Sequence, residues 1–383
     1  MRGLPAGWYL DPARGPLEFS AVFGRSWQFV CHAADLPAAG TAARFDCGGR
    51  SAFVLRTRAL GLHAFRNACS HRGSRLVDGD PGTGLAFCVD GRVRCPYHGW
   101  TYDEQGRLES IPADQRFEES EPGAVALTSL PVAQWRGLVF VAFGAPERAL
   151  EAALDEAATD WPDVPTMRRL AEPRTLAVEA DWKLACEHAL DTAHLGVTRP
   201  TPKSRLFEPG RFTVAGAEAM RAAGVPVDAA RASWSARMFL RLSSPDAAPP
   251  RATWLYLWPN LLLGTTADTL TVLQALPVRT GTSRLRVLRY GRQDSSRTAR
   301  LLRYLHERVV RRALLDDARL LERVQQGLAN VDAATTMPID AAQPGLRWFV
   351  ERCRVVLERA SPAPPRARTR TRRPRQPPVT TAG

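Results

Sequence analysis

The chain has 383 residues, enough for two domains with cores of their own. Its 52 lysines and arginines against 39 acidic residues leave a net charge of +13, which invites a nucleic-acid reading. No apolar run approaches the roughly 20 residues of a membrane span, and Met1-Arg-Gly-Leu-Pro5 lacks the apolar core of a signal peptide, so a cytoplasmic location is expected.

In chain order, the first half reads as short strands and turns. Ser51-Ala-Phe-Val-Leu-Arg56 is rich in β-formers, and Gly61-Leu-His-Ala-Phe-Arg-Asn67 alternates behind a turn glycine. Two loops follow, Cys69-Ser-His71-Arg-Gly73 and Cys95-Pro-Tyr-His98-Gly99-Trp100. Thr101-Tyr102 then runs into Asp103-Glu-Gln-Gly106, a hairpin connection, and Trp135–Phe143 is expected as one buried strand. The expectation is an antiparallel β domain with the two loops at one tip.

The loops supply two thiolates and two imidazoles. That set suits a Rieske [2Fe–2S] cluster, in which Cys69 and Cys95 hold one iron and His71 and His98 the other. Neutral imidazole in place of thiolate makes the cluster less negative, so it accepts single electrons from a mild donor. Cys2His2 is also a zinc set. Zinc fingers, however, usually pair Cys with Cys and His with His along the chain. Here each loop carries one of each and runs into a glycine that lets it fold tightly. The other cysteines, Cys31, Cys47, Cys88, Cys186 and Cys353, show no framework and read as small buried hydrophobes.

From about Trp161 the character changes. Strands are expected at Arg174–Glu179, Ser235–Leu240, Thr253–Trp258, Thr269–Leu273 and Leu285–Leu288. Helices are expected at Trp182–Leu195, Ser296–Gly327 and Gly345–Arg359, an α+β arrangement. Glu187, Asp191 and His194 would share one side of the first helix. In Val309–Leu328, apolar residues mark one helical face with Asp317 near its middle and Asp316 at its edge. An inward carboxylate needs a metal, a cation or a proton; pairing with an Arg is the plain alternative. Phe239, Trp254, Tyr256 and Trp258 could line a pocket or simply be sheet core. Residues 361–383, rich in Arg, Pro and Thr, read as a disordered tail that carries much of the charge. A solvated tail is preferred there over a nucleic-acid arm; attraction to an acidic ferredoxin is a third option.

The segments Trp8-Tyr9, Phe23–Trp27, Asn67–Gly73, Tyr97–Tyr102, Trp135 and Val139–Val141 resemble the Rieske non-heme iron oxygenases, the ring-hydroxylating oxygenase α subunits. The resemblance extends more thinly to about residue 360. It implies a Rieske domain with an N-terminal extension over 1–150 and a helix-grip catalytic domain over 151–360. It also implies Fe(II) on a two-His, one-carboxylate triad, with His194 and Asp317 as matching ligands. In such enzymes a reductase, directly or through a ferredoxin, supplies electrons to the cluster. O2 is then activated at the iron to oxidise an apolar or aromatic small molecule. The family assembles as homotrimers, and the resemblance gives Asp191 the bridge from His98 of one chain to His194 of the next.

One position departs from the family. Arg199 stands where the second iron His belongs, and arginine cannot be deprotonated to ligate a metal. Three alternatives follow. His188, where the family usually has an Asn close to the iron, could be a substitute ligand. Arg199 could instead pair with Asp317 and fill the void with charge. The chain could also be an electron carrier or non-catalytic subunit that has lost this iron. His306, eleven residues before Asp317 on one helix, would lie roughly 16 Å away, too far to share an ion.

Overall fold

A computed structural model describes residues 1–79, 81, 84–86, 91–112, 125–157, 164–191, 207–216, 218–226, 234–243, 252–265, 269–292 and 296–360. Cys88, His194, Arg199 and the tail 361–383 lie outside these, as does the side chain of Phe239.

The first half is built from antiparallel sheets. One runs in the order Ser129–Leu130, Leu62–Arg66, Arg50–Arg56, Thr41–Cys47, Gly84–Ala86. A second runs Val132–Trp135, Leu138–Val141, Gln28–His32, and a third Val93–Arg94, Thr101–Tyr102, Leu108–Ser110. The single strand expected over Trp135–Phe143 is instead the corner of a hairpin. Arg136 and Gly137 both take positive φ (44° and 83°), and Trp135 pairs with Leu138. Two consecutive left-handed residues match the strand twist, and that local geometry overrides continuous β-propensity. The turn at Asp103–Gly106 forms as expected, with Asp103 Oδ1 accepting the amides of Gln105 and Arg107.

The second half is a large antiparallel sheet. Its order is Arg168–Arg169, Thr282–Gly291, Thr269–Arg279, Leu261–Thr265, Ala252–Leu257, Ala219–Pro226, Phe207–Pro209, with Arg174–Val178 and Thr213–Val214 paired alongside. One face, with Leu255, Leu263, Val272 and Leu288, packs on Phe29, Leu138 and Phe140 of the first half. The buried Arg286 ties the halves together by donating to the carbonyls of Phe29 and Val30. The opposite face is crossed by the helices Trp182–Leu190 and Arg297–Leu328, giving the expected α+β fold.

Two expectations here need correction. Ser235–Leu240 is not a strand but part of a helix, Trp234–Ser243, packed on the long helix. Trp234, Met238 and Leu242 recur at four-residue steps, a helical period that outweighs the aromatic and aliphatic content. The helix predicted to continue past Asp191 stops at Leu190, and Asp191 is extended (φ −82°, ψ 107°). Asp191 therefore leaves the helical face that holds Glu187.

The chain's start is bound to the second half. Arg2–Pro5 pairs with Thr336–Pro338. Glu18 accepts from Trp182 Nε1 at 2.8 Å and from Lys183 Nζ at 2.5 Å. Lys183 also lies 2.7 Å from Asp181, the residue that caps its helix by accepting the Lys183 amide. Lys183 and Asp181 are fully buried.

Candidate functional site: two Cys–His loops and a cavity above the sheet

The two loops have the same internal plan. The Cys69 amide donates to Ser74 O and the Cys95 amide to Trp100 O, each at 2.8 Å. The Gly73 amide returns to Cys69 O at 2.8 Å and the Gly99 amide to Cys95 O at 3.1 Å. Both glycines need φ near +70° to close these turns, a conformation a Cβ disfavours. Asn67 braces the first loop from below, accepting the amides of Leu76 and Val77 and donating to Val77 O.

The plan brings the two thiols together and the two imidazoles together. Cys69 and Cys95 are buried in one cluster with Trp100, Tyr102 and Leu127. The His71 and His98 rings lie 4.7 Å apart, and His71 stacks on Trp100 at 4.7 Å with planes 6° apart. The Tyr102 hydroxyl reaches Cys69 Sγ at 3.1 Å. Burial pushes the Cys69 thiol up; the Tyr102 contact and the His71 backbone oppose this, and Cys95 beside it reinforces it. Desolvation, His98 and Arg72 all lower the His71 pKa, favouring the neutral ring that a metal takes. Two thiols and two imidazoles, paired by type, fit a [2Fe–2S] centre.

The second feature is a cavity of about 190 Å³ between the sheet and two helices. Trp254, Tyr256, Leu262 and Leu273 form its floor, and Val309, Ala313 and Leu314 its roof. Trp254 lies across Gly264, where a Cβ would come 2.4 Å from the indole ring. Trp258, for which pocket and sheet core were both open, is core, packed on Trp348 and Phe349. His306 lines the cavity, and burial with nearby Arg289 lowers its pKa to about 3.

His188 and Asp317 meet at the cavity wall. His188 Nε2 is 3.2 Å from Asp317 Oδ1, and their side chains are 16% and 20% exposed. Asp316 is the more buried carboxylate, but it turns away to Arg312 and Arg319 of its own helix. An imidazole and a carboxylate are donors that suit a first-row divalent ion. Asp191, at the end of the helix that carries His188, accepts from Gln343 Nε2 at 2.5 Å. That partner has no signal in the sequence, because 152 residues separate the two. Glu187 accepts from the Tyr9 hydroxyl at 2.6 Å, and burial raises its pKa to about 7.

Residues 26–132 match the Rieske [2Fe-2S] domain, and residues 166–359 match the ring hydroxylating alpha subunit catalytic domain. The chain belongs to the Rieske ring-hydroxylating alpha-subunit family. With that membership come a Rieske cluster and a non-heme iron as its cofactors. The family's fold recurs in a quaternary ammonium Rieske monooxygenase, CntA, bound to γ-butyrobetaine. That structure has a TM-score of 0.75 and 19% identity, covering 94% of this chain and 96% of the other. Naphthalene 1,2-dioxygenase from Rhodococcus sp. aligns with a TM-score of 0.71 at 18% identity, covering 94% and 95%. In sequence, the glycine betaine monooxygenase oxygenase subunit of Chromohalobacter salexigens is 31% identical over 54% of this chain and 45% of its own length. Biphenyl dioxygenase subunit alpha of Paraburkholderia xenovorans is 29% identical over 50% of this chain and 43% of its own. The chain thus spans a little under half the length of these curated relatives. No helix among the described residues is long and apolar enough to cross a membrane.

Proposed function

We propose that this chain is the oxygenase component of a Rieske oxygenase system, acting in the cytoplasm on a small apolar or aromatic molecule. Residues 1–150 serve as the electron-relay domain and 151–360 as the catalytic domain. Cys69, His71, Cys95 and His98 would hold the cluster, and His194 and Asp317 the mononuclear iron. When bound, the cluster relays single electrons and the iron activates O2.

The chain's own residues have the remaining tasks. The Tyr102 hydroxyl hydrogen-bonds with Cys69 Sγ, and Trp100 backs the His71 ring. The apolar cavity excludes water and orients a flat substrate between Trp254 and the long helix. Gln343 fixes the carboxylate of Asp191. In a homotrimer, Asp191 would link His98 of one chain to His194 of the next. Electrons would come from a reductase, directly or through a ferredoxin. Nucleic acid is not a proposed partner.

One observation carries the reading: two buried Cys and two adjacent imidazoles on like-folded loops, in a chain whose second half encloses a cavity walled by His188 and Asp317. Arg199 favours a second reading, an electron carrier without the mononuclear iron. Iron analysis and EPR of anaerobically purified protein separate the two. Iron beyond the cluster's two atoms, with oxygenated product from a reduced-protein single turnover, supports the oxygenase. Cluster iron alone supports the carrier, and colourless protein holding only zinc removes both.

A further inference from the structure

We infer that His188 is itself a ligand of the mononuclear iron, taking with Asp317 the place in the donor set that Arg199 cannot fill. This inference rests on the oxygenase reading above. The two residues lie on different helices, Trp182–Leu190 and Arg297–Leu328, and meet only through the tertiary fold. Their donor atoms stand 3.2 Å apart. Two N/O ligands at about 2.1 Å from one divalent ion and at right angles are about 3 Å apart, so the pair is spaced to share an ion.

Three further observations support the assignment. Both side chains open onto the cavity, where O2 and an apolar molecule could reach an ion beside them. An imidazole–carboxylate pair with open positions is the donor chemistry of an oxygen-activating iron. The helix that carries His188 is also held firmly in place. Asp181 caps its start, and Lys183 is bound to Glu18 and Asp181 inside the protein. A ring on so short and fixed a helix reaches Asp317 without rearrangement, which is the precondition for a rigid metal site.

The simpler explanation is a hydrogen-bonded His–Asp pair that closes the cavity wall. Ferrous-iron binding and nitric oxide as a probe distinguish the two. The full-length protein, with its cluster intact, is stripped of loosely held iron and titrated anaerobically with Fe(II). Nitric oxide then reports the mononuclear ion by its ferrous–nitrosyl EPR signal. The expected result is a nitrosyl signal in the native protein that carries an imidazole-nitrogen hyperfine coupling lost in both His188→Ala and His188→Asn, with Fe(II) affinity falling beyond the roughly ten- to hundredfold that a positioning partner alone would cost. The cluster's own spectrum, unchanged in either variant, shows that the chain has folded. Native-level Fe(II) affinity and nitrosyl signal in His188→Asn would overturn the assignment of His188 while leaving the oxygenase reading intact. A native protein with cluster iron and no nitrosyl signal at saturating Fe(II) would overturn both.

Discussion

The Tyr102 hydroxyl stands 3.1 Å from Cys69 Sγ while accepting the Ser70 amide, also at 3.1 Å. A cluster-bound thiolate has no proton to give, so under the proposed ligation the hydroxyl is the donor and the sulfur the acceptor. Under the proposed ligation, such a hydrogen bond stabilises the more negative, reduced cluster. Tyr102→Phe is expected to lower the reduction potential by on the order of tens of millivolts while the cluster remains bound. A spectroscopic redox titration measures this, and an unchanged potential would show that the hydroxyl does not tune the centre.

Gly264 lies beneath the Trp254 indole, and a Cβ there would come 2.4 Å and 2.7 Å from two ring carbons. Gly264→Ala must therefore push the indole into the cavity or lift the strand. Overpacking of this kind costs about 1–3 kcal/mol. The expected outcome is a lower melting temperature together with weaker binding of aromatic ligands, read by thermal denaturation and ligand titration.

Lys183 pairs with both Glu18 and Asp181 inside the protein, and no part of it reaches solvent. Lys183→Met keeps the volume and strands two buried carboxylates. Removing one partner from such a site costs about 3–5 kcal/mol. Chemical denaturation is expected to show a loss of that size at neutral pH, diminished when Glu18→Gln is combined with it.

His306 stays neutral in the folded protein down to about pH 3, whereas its ordinary value is 6.5. Between those values the unfolded chain binds a proton that the folded chain refuses. Its contribution is complete above about pH 6.5 and is lost as the pH falls toward 3, at up to about 1.4 kcal/mol per pH unit. His306→Gln is expected to flatten the pH dependence of unfolding free energy between pH 6 and 4. An identical slope in both proteins would mean that His306 does not govern acid stability.

Much of the fold was legible because its signals are local. The run of β-formers in Arg50–Arg56 and the helical periods of Arg297–Leu328 and Pro344–Ala360 each lie within one element. The failures came where a few residues override a broader pattern. Arg136-Gly137 breaks one apolar run into a hairpin, and Trp234–Ser243 contains enough aromatic and aliphatic residues to resemble a strand.

The linear order of residues determined the two Cys–His loops, because a turn of four or five residues places Cys, His and Gly by itself. It also determined that Asp317 faces inward, since helical spacing alone orients it. Only the tertiary structure decided what stands beside that carboxylate. Asp316, its buried neighbour, turns to arginines one turn away, while Asp317 meets His188 from 129 residues earlier in the chain. Gln343 reaches Asp191 in the same way. Such contacts depend on how a sheet and two helices pack, and packing sums many weak apolar contacts that no short stretch of sequence encodes.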